Sequence, residues 1–167
     1  MPILEPVEVY PEASFQGAIV SVIEDILVEA GRQFVVMKGF GLDIAVFMDA
    51  SQQSNVRFFE VKAFGGQRPG AVGFGNGSGL GAQVDLLLCE KNRLAMFDGT
   101  IRWVYADATR GLGTARYALF TCGEAKNAAM ANAVCRGKQN NLRISALHDR
   151  LLPWTQLRDE IRGFLLD

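Results

Sequence analysis

Glu60 and Lys62 stand two residues apart inside the largely apolar run Arg57-Phe58-Phe59-Glu60-Val61-Lys62-Ala63-Phe64. A strand alternates its side chains with a period of two, so this run reads as a strand with Glu60 and Lys62 on one face and Phe59 and Val61 on the other. Charges fixed among apolar neighbours are costly unless something pairs with them. The fold must therefore bring a partner to that face. Asp43, which opens the preceding apolar run Ile44-Ala45-Val46-Phe47-Met48, is the natural candidate. Two carboxylates sharing a divalent cation beside a lysine form a set that can cut phosphodiesters.

Composition narrows the setting. The chain has 167 residues, 49% hydrophobic and 21% charged, which fits one globular domain spanning 1–167. Its net charge is −1, so no overall basic field drives nonspecific binding to nucleic acid. Any such contact must come from a local patch. No apolar stretch approaches the roughly 20 residues of a membrane span. Acids and prolines precede the first apolar run, so the N-terminus does not read as a signal peptide. Cys89, Cys122 and Cys135 form no C-x-x-C pair, and their odd number suits inert buried thiols in a reducing cytoplasm. The lone histidine, His148, excludes metal sites that need several imidazoles. No nucleophile elbow G-x-S-x-G accompanies it.

The order of elements follows from periodicity. Residues 1 to 13 hold three prolines and read as an extended lead-in. From Ser14 to Ala30 the apolar residues Ile19, Val22, Ile23, Ile26, Leu27 and Ala30 keep helical spacing, and Gly31 is a natural stop. Gln16 falls on that apolar face, and Glu29 sits at its border. Phe34 to Met37 is a short strand candidate, followed by a turn at Gly39-Phe40-Gly41. The two strands with Asp43, Glu60 and Lys62 come next, separated by the polar loop Asp49 to Asn55. From Gly65 to Gly81, eight of seventeen residues are glycine, which predicts a flexible or tightly turning segment rather than a packed element. Ala82 to Lys91 has helical spacing. Asp98-Gly99 marks a hairpin between Leu94–Phe97 and Ile101–Tyr105. Ala115 to Cys122 reads as a strand, Ala125 to Val134 as a helix and Leu142 to Leu147 as a short strand. Pro153 opens a last helix with the stripe Leu157, Ile161, Phe164 and Leu165. The sum is an α/β (α+β) chain with a central mixed sheet flanked by helices.

The spacing D-x(n)-E-x-K is loose, and the chain contains a decoy. Asp107 followed by Glu124-Ala125-Lys126 repeats the seventeen-residue offset of Asp43 to Glu60. Context separates the two. Glu124 opens a predicted helix, where residues two apart point about 200° away from each other. Glu60 and Lys62 share a strand face, so only the first set can converge.

With Gly41-Leu42-Asp43 followed by Phe59-Glu60-Val61-Lys62, the chain resembles the PD-(D/E)xK nuclease superfamily, the restriction-endonuclease-like fold. The resemblance covers roughly Ser14 to Cys122, in the order helix, three-strand meander, helix, further strands. Leu42 stands where the motif name has proline. The resemblance implies a Mg²⁺-dependent nuclease, with Mn²⁺ as an alternative ion and DNA as substrate. It implies Asp43 and Glu60 as metal ligands, the Val61 carbonyl as a further ligand, and Lys62 as the catalytic lysine. Small enzymes of this type often work as homodimers. Many members carry an added acid on the first helix, where this chain has Gln16. The chemistry agrees: Mg²⁺ prefers oxygen ligands and keeps several waters, so two carboxylates suffice.

Other signals are weaker. Gly77-Ser78-Gly79-Leu80-Gly81-Ala82 matches G-x-G-x-x-A, yet the strand before it ends near Phe64, too early for a dinucleotide fingerprint. The Gly-rich loop is better suited to approach a backbone phosphate through its N–H groups and Arg68. Gln83, one turn into the next helix, could face the site as a polar support. Trp103, Tyr105 and Tyr117 suit a core or interface better than a base-stacking platform. Two other readings of the chain remain. One is a non-catalytic binding domain in which Asp43, Glu60 and Lys62 form a salt-bridge cluster. The other is a small-ligand binder that uses the Gly-rich loop.

Overall fold

A computed structural model describes residues 12–39, 43–48, 55–64, 71–73, 99–107, 115–121, 124, 141–143 and 149–167. In chain order the elements are α1 (Glu12–Glu29), β1 (Phe34–Lys38), β2 (Ile44–Met48), β3 (Asn55–Phe64), β4 (Ala71–Gly73), β5 (Ile101–Asp107), β6 (Tyr117–Phe120), β7 (Asn141–Arg143) and α2 (Trp154–Leu166). The main sheet has the order β1-β2-β3-β5-β6. Its β3–β5 pair is parallel and its other three pairs are antiparallel. Among the described residues, a five-stranded mixed sheet with two helices makes this an α+β fold.

The helical stripe read from sequence becomes the core. Phe15, Ile19, Val22, Ile23, Ile26 and Leu27 of α1 are buried together with Leu157, Ile161 and Leu165 of α2. They cover one face of the sheet, made by Ile44, Val46 and Met48 of β2, Phe59 and Val61 of β3, Val104 and Ala106 of β5, and Tyr117 and Leu119 of β6. Phe59 meets Phe164 of α2 edge-on at 5.3 Å, and Phe15 meets Tyr117 at 6.3 Å. Arg57 lies on the same side and donates from Nε to the Phe164 carbonyl at 3.2 Å, satisfying an orphan acceptor near the end of α2.

α1 begins at Glu12, two residues before the expected Ser14, and ends as its sequence dictates. Gly31 has φ 66°, a left-handed conformation that suits glycine. The Gly31 N–H donates to the Val28 carbonyl at 3.0 Å and the Arg32 N–H to the Leu27 carbonyl at 2.9 Å. This is the paired pattern that closes a helix on a glycine and turns the chain into β1.

Three expectations need adjustment. Part of the Gly-rich segment is structured, because Ala71–Gly73 pairs antiparallel with Asn141–Arg143 in a separate two-stranded sheet. Backbone pairing does not require the side-chain pattern that periodicity detects, so glycines concealed it. Leu142 and Arg143 of the strand expected over Leu142–Leu147 fall in β7, and residues 144–147 lie outside the described residues. Pro153 sits at the N-cap of α2 rather than inside its first turn. The expected helices at 82–91 and 125–134, the strand at 94–97, the three cysteines and His148 lie outside the described residues.

Candidate metal and catalytic site

The sheet register brings the predicted trio together. β2 and β3 pair with Ile44 opposite Phe59, so continuing the antiparallel ladder by one residue sets Asp43 against Glu60. Period-two alternation sends Ile44, Phe59 and Val61 into the helix-covered core, which leaves Asp43, Glu60 and Lys62 on the other face. The side chains interlock there. The Val61 N–H donates to Asp43 Oδ2 at 2.8 Å. The Asp43 N–H donates to Glu60 Oε2 at 3.3 Å. Lys62 Nζ lies 3.3 Å from Glu60 Oε1.

Two neighbours hold this geometry. Gly39, with φ 73°, donates its N–H to the Asp43 carbonyl at 2.9 Å and so ties the end of β1 to the start of β2. On the other side, parallel pairing sets Glu60 opposite Trp103 and Lys62 opposite Tyr105. Trp103 and Tyr105 are buried, as their aromatic character suggested.

The electrostatics are those of a crowded acid. Glu60 is 7% exposed, one of two buried charged residues among the described ones. Burial, and then the Asp43 charge, raise the Glu60 pKa to about 7, against the opposing pull of Lys62. Burial also pushes the Tyr105 hydroxyl well above its ordinary pKa, with the Glu60 charge adding to the shift. Tyr105 therefore belongs to the surroundings of Glu60, a role that nothing in the local sequence pattern singles out. The signal was the parallel register of β3 and β5, which is a property of the fold.

A divalent cation fits this donor set. Among the described residues no group of three or more His, Cys, Asp and Glu side chains is placed to hold a metal ion. The site is a two-carboxylate site, the kind that suits Mg²⁺ or Mn²⁺, which complete their shells with water and substrate oxygens. The unfavourable proximity of Asp43 and Glu60 is what a bound cation relieves. Val61, fixed between Glu60 and Lys62, has its N–H committed to Asp43. Gln16 is half-buried on α1. Arg68 and Gln83 lie outside the described residues.

The decoy set separates. β5 and β6 are antiparallel, with Ala106 opposite Tyr117 and Trp103 opposite Phe120, so Asp107 and Glu124 stand at opposite ends of the sheet. Glu124 instead accepts the Thr121 N–H at 3.2 Å and donates its own N–H to Thr121 Oγ1 at 3.1 Å. That reciprocal pair is a capping box, and Glu124 also pairs with Arg150.

No family model, curated protein or solved structure matches the chain. No helix among the described residues is long and apolar enough to cross a membrane.

Proposed function

We propose that the chain is a divalent-metal-dependent nuclease of the PD-(D/E)xK, restriction-endonuclease-like kind, with DNA as its substrate and the cytoplasm as its setting. The observation that carries this reading is the convergence of Asp43, Glu60 and Lys62 where β2 runs antiparallel to β3 and β3 runs parallel to β5. Asp43 and Glu60 hold Mg²⁺ or Mn²⁺, with the Val61 carbonyl as a further oxygen donor. A bound ion would lower the pKa of a coordinated water and offset charge on the substrate phosphate. Lys62, held beside Glu60 on the same strand face, orients the attacking water and offsets the developing negative charge. Glu60 must give up its proton to act as a ligand, so the site favours neutral to alkaline pH.

The test is cleavage of supercoiled plasmid and labelled oligonucleotides in Mg²⁺ or Mn²⁺. Glu60→Ala and Lys62→Ala should each lower the rate by at least about 100-fold, as expected for loss of a metal ligand or of a group acting on the water. Equal, metal-dependent cleavage by wild type and both variants would end this reading.

A second reading has one observation in its favour. Lys62 already pairs with Glu60, and the three side chains satisfy one another without an ion. On that account the trio is a structural cluster in a non-catalytic binding domain, and Mg²⁺ changes neither activity nor melting.

A further inference from the structure

We propose that β1 is an interaction edge for a second copy of this chain, the two β1 strands pairing antiparallel across a twofold axis at Val36 and so joining two sheets into one. The inference goes beyond the nuclease reading, and the interface stands whether or not that reading holds.

The register leaves this edge open. β1 is an outer strand of the five-stranded sheet, with no described strand beyond it. The Gly39 N–H donates to the carbonyl of Asp43, directly opposite, at 2.9 Å, which makes the two a hydrogen-bonded pair. Such pairs alternate along an antiparallel ladder. Met37 with Ala45 and Val35 with Phe47 are therefore bonded too, whereas Phe34, Val36 and Lys38 turn their N–H and C=O groups outward. No described residue bonds those outward groups. The opposite edge is closed at Tyr117, whose N–H and carbonyl both bond to Leu152, at 2.9 and 2.6 Å.

The edge also lacks the features that keep strands of separate molecules apart. Over Phe34–Lys38 it pairs with β2 without a bulge, holds no proline and carries one charge, Lys38, at its end. Val35 is 57% and Met37 42% exposed, and Val28 is the only other exposed large apolar residue among the described ones. Phe34 and Val36 pack against the helix-covered core, so alternation puts Val35 and Met37 on the face that carries Asp43 and Glu60.

The strand is complementary to itself. With Val36 opposite its own copy, Val35 falls opposite the partner's Met37 and Phe34 opposite the partner's Lys38. Each outward-facing pair then exchanges both of its hydrogen bonds, and the exposed apolar side chains cover one another. The charges agree. Lys38 comes beside the partner's Phe34, just after the C-terminal end of the partner's α1. That helix has no basic residue in its last turn, so its free carbonyls favour a cation brought by the other copy. At a net charge of −1, two copies repel each other little. A twofold axis normal to the sheet keeps like faces together, so both acid pairs open on the same side. From a strand spacing of about 4.8 Å and a rise of about 3.4 Å per residue, the two Asp43 residues stand about 25 Å apart.

The test is sedimentation velocity of the full chain in EDTA, without nucleic acid, from about 1 µM to about 500 µM, a range suited to an interface smaller than about 1,200 Å². Wild type should pass from monomer to dimer as concentration rises. Val35→Glu combined with Met37→Glu sets carboxylates against each other across the axis. That variant should stay monomeric and melt like wild type, because both side chains are exposed. Val35→Glu combined with Met37→Lys sets opposite charges across the axis instead, and should dimerise at least about tenfold more tightly than the double-glutamate variant. A wild type that stays monomeric would leave the edge to another occupant and overturn the inference. Open-ended oligomers in place of a dimer, or a double-glutamate variant that dimerises like wild type, would overturn it too. Equal association of the two double variants would overturn the register. No metal or DNA is present, so each of these outcomes leaves the nuclease reading untouched.

Discussion

Asp43 donates its main-chain N–H to Glu60 Oε2 at 3.3 Å, and in return its own carboxylate accepts the N–H of Val61, the next residue in the strand, at 2.8 Å. The Glu60 carboxylate is therefore held by the Asp43 backbone, and the Asp43 carboxylate by that of Val61. Fixed, adjacent carboxylates repel: burial, and then the Asp43 charge, raise the Glu60 pKa against the opposing pull of Lys62. The site stores an electrostatic cost that either a proton or a cation relieves.

Removing the Asp43 carboxylate should therefore act in two directions. Asp43→Ala leaves the Val61 N–H without its acceptor, a loss of about 1–3 kcal/mol. It also lifts a negative charge away from Glu60. Asp43→Asn keeps an oxygen for Val61 and removes the charge, so it should be the more stable variant of the two. Denaturant unfolding at pH 8 compares them, and an Asn variant less stable than the Ala variant would contradict the geometry.

Stability should fall as pH rises through the Glu60 titration. An acid whose pKa rises on folding holds its proton more tightly in the folded chain. Its contribution is fully present below the unfolded value of 4.5 and is lost as pH climbs to about 7. At alkaline pH the cost is at most on the order of 3 kcal/mol. Glu60→Gln carries no titrating carboxyl, so its unfolding free energy should be flatter than that of wild type between pH 4.5 and 7. A wild-type curve with the same slope as the variant would show that Glu60 is ionised freely.

Metal binding should inherit this proton. Below about pH 7 the ion must displace it, so the apparent affinity for Mn²⁺ should rise about tenfold per pH unit and level off above 7. Calorimetry at pH 6 and pH 8 in buffers of different ionisation enthalpy reads the released proton directly. Equal affinity at both pH values would argue against Glu60 as a ligand.

Gly31→Ala should destabilise the chain by about 1 kcal/mol, because an L side chain is disfavoured at φ 66°. No atom lies within 4 Å of the added Cβ, so the cost is one of backbone conformation rather than of packing. Ile161→Ala, at a fully buried position on α2, should cost more, about 2–5 kcal/mol. Thermal melting ranks the two, and the reverse order would mean that α2 is not the core element described.

Much of this was legible in the sequence, for identifiable reasons. The α1 stripe and the Gly31 stop are local signals, and the buried residues and the closing hydrogen bonds follow them. The shared face of Glu60 and Lys62 follows from alternation alone. Their convergence with Asp43 needed only that consecutive strands pair. The setting of Tyr105 beside Glu60 was not legible, because β5 arrives next to β3 from about forty residues away and in parallel. The pairing of Ala71–Gly73 with Asn141–Arg143 was hidden for a similar reason, since backbone hydrogen bonding between distant segments leaves little mark in side-chain periodicity.

Thermal melting at pH 8 with and without Mn²⁺ asks whether the Asp43–Glu60 pair holds a divalent cation, as proposed. Binding to the folded state should stabilise wild type by roughly 2.7 kcal/mol at a hundredfold excess over Kd. Asp43→Asn, compared with itself in the same two buffers, should lose that shift. No metal-dependent rise in wild type, or a rise that Asp43→Asn retains in full, would contradict the account.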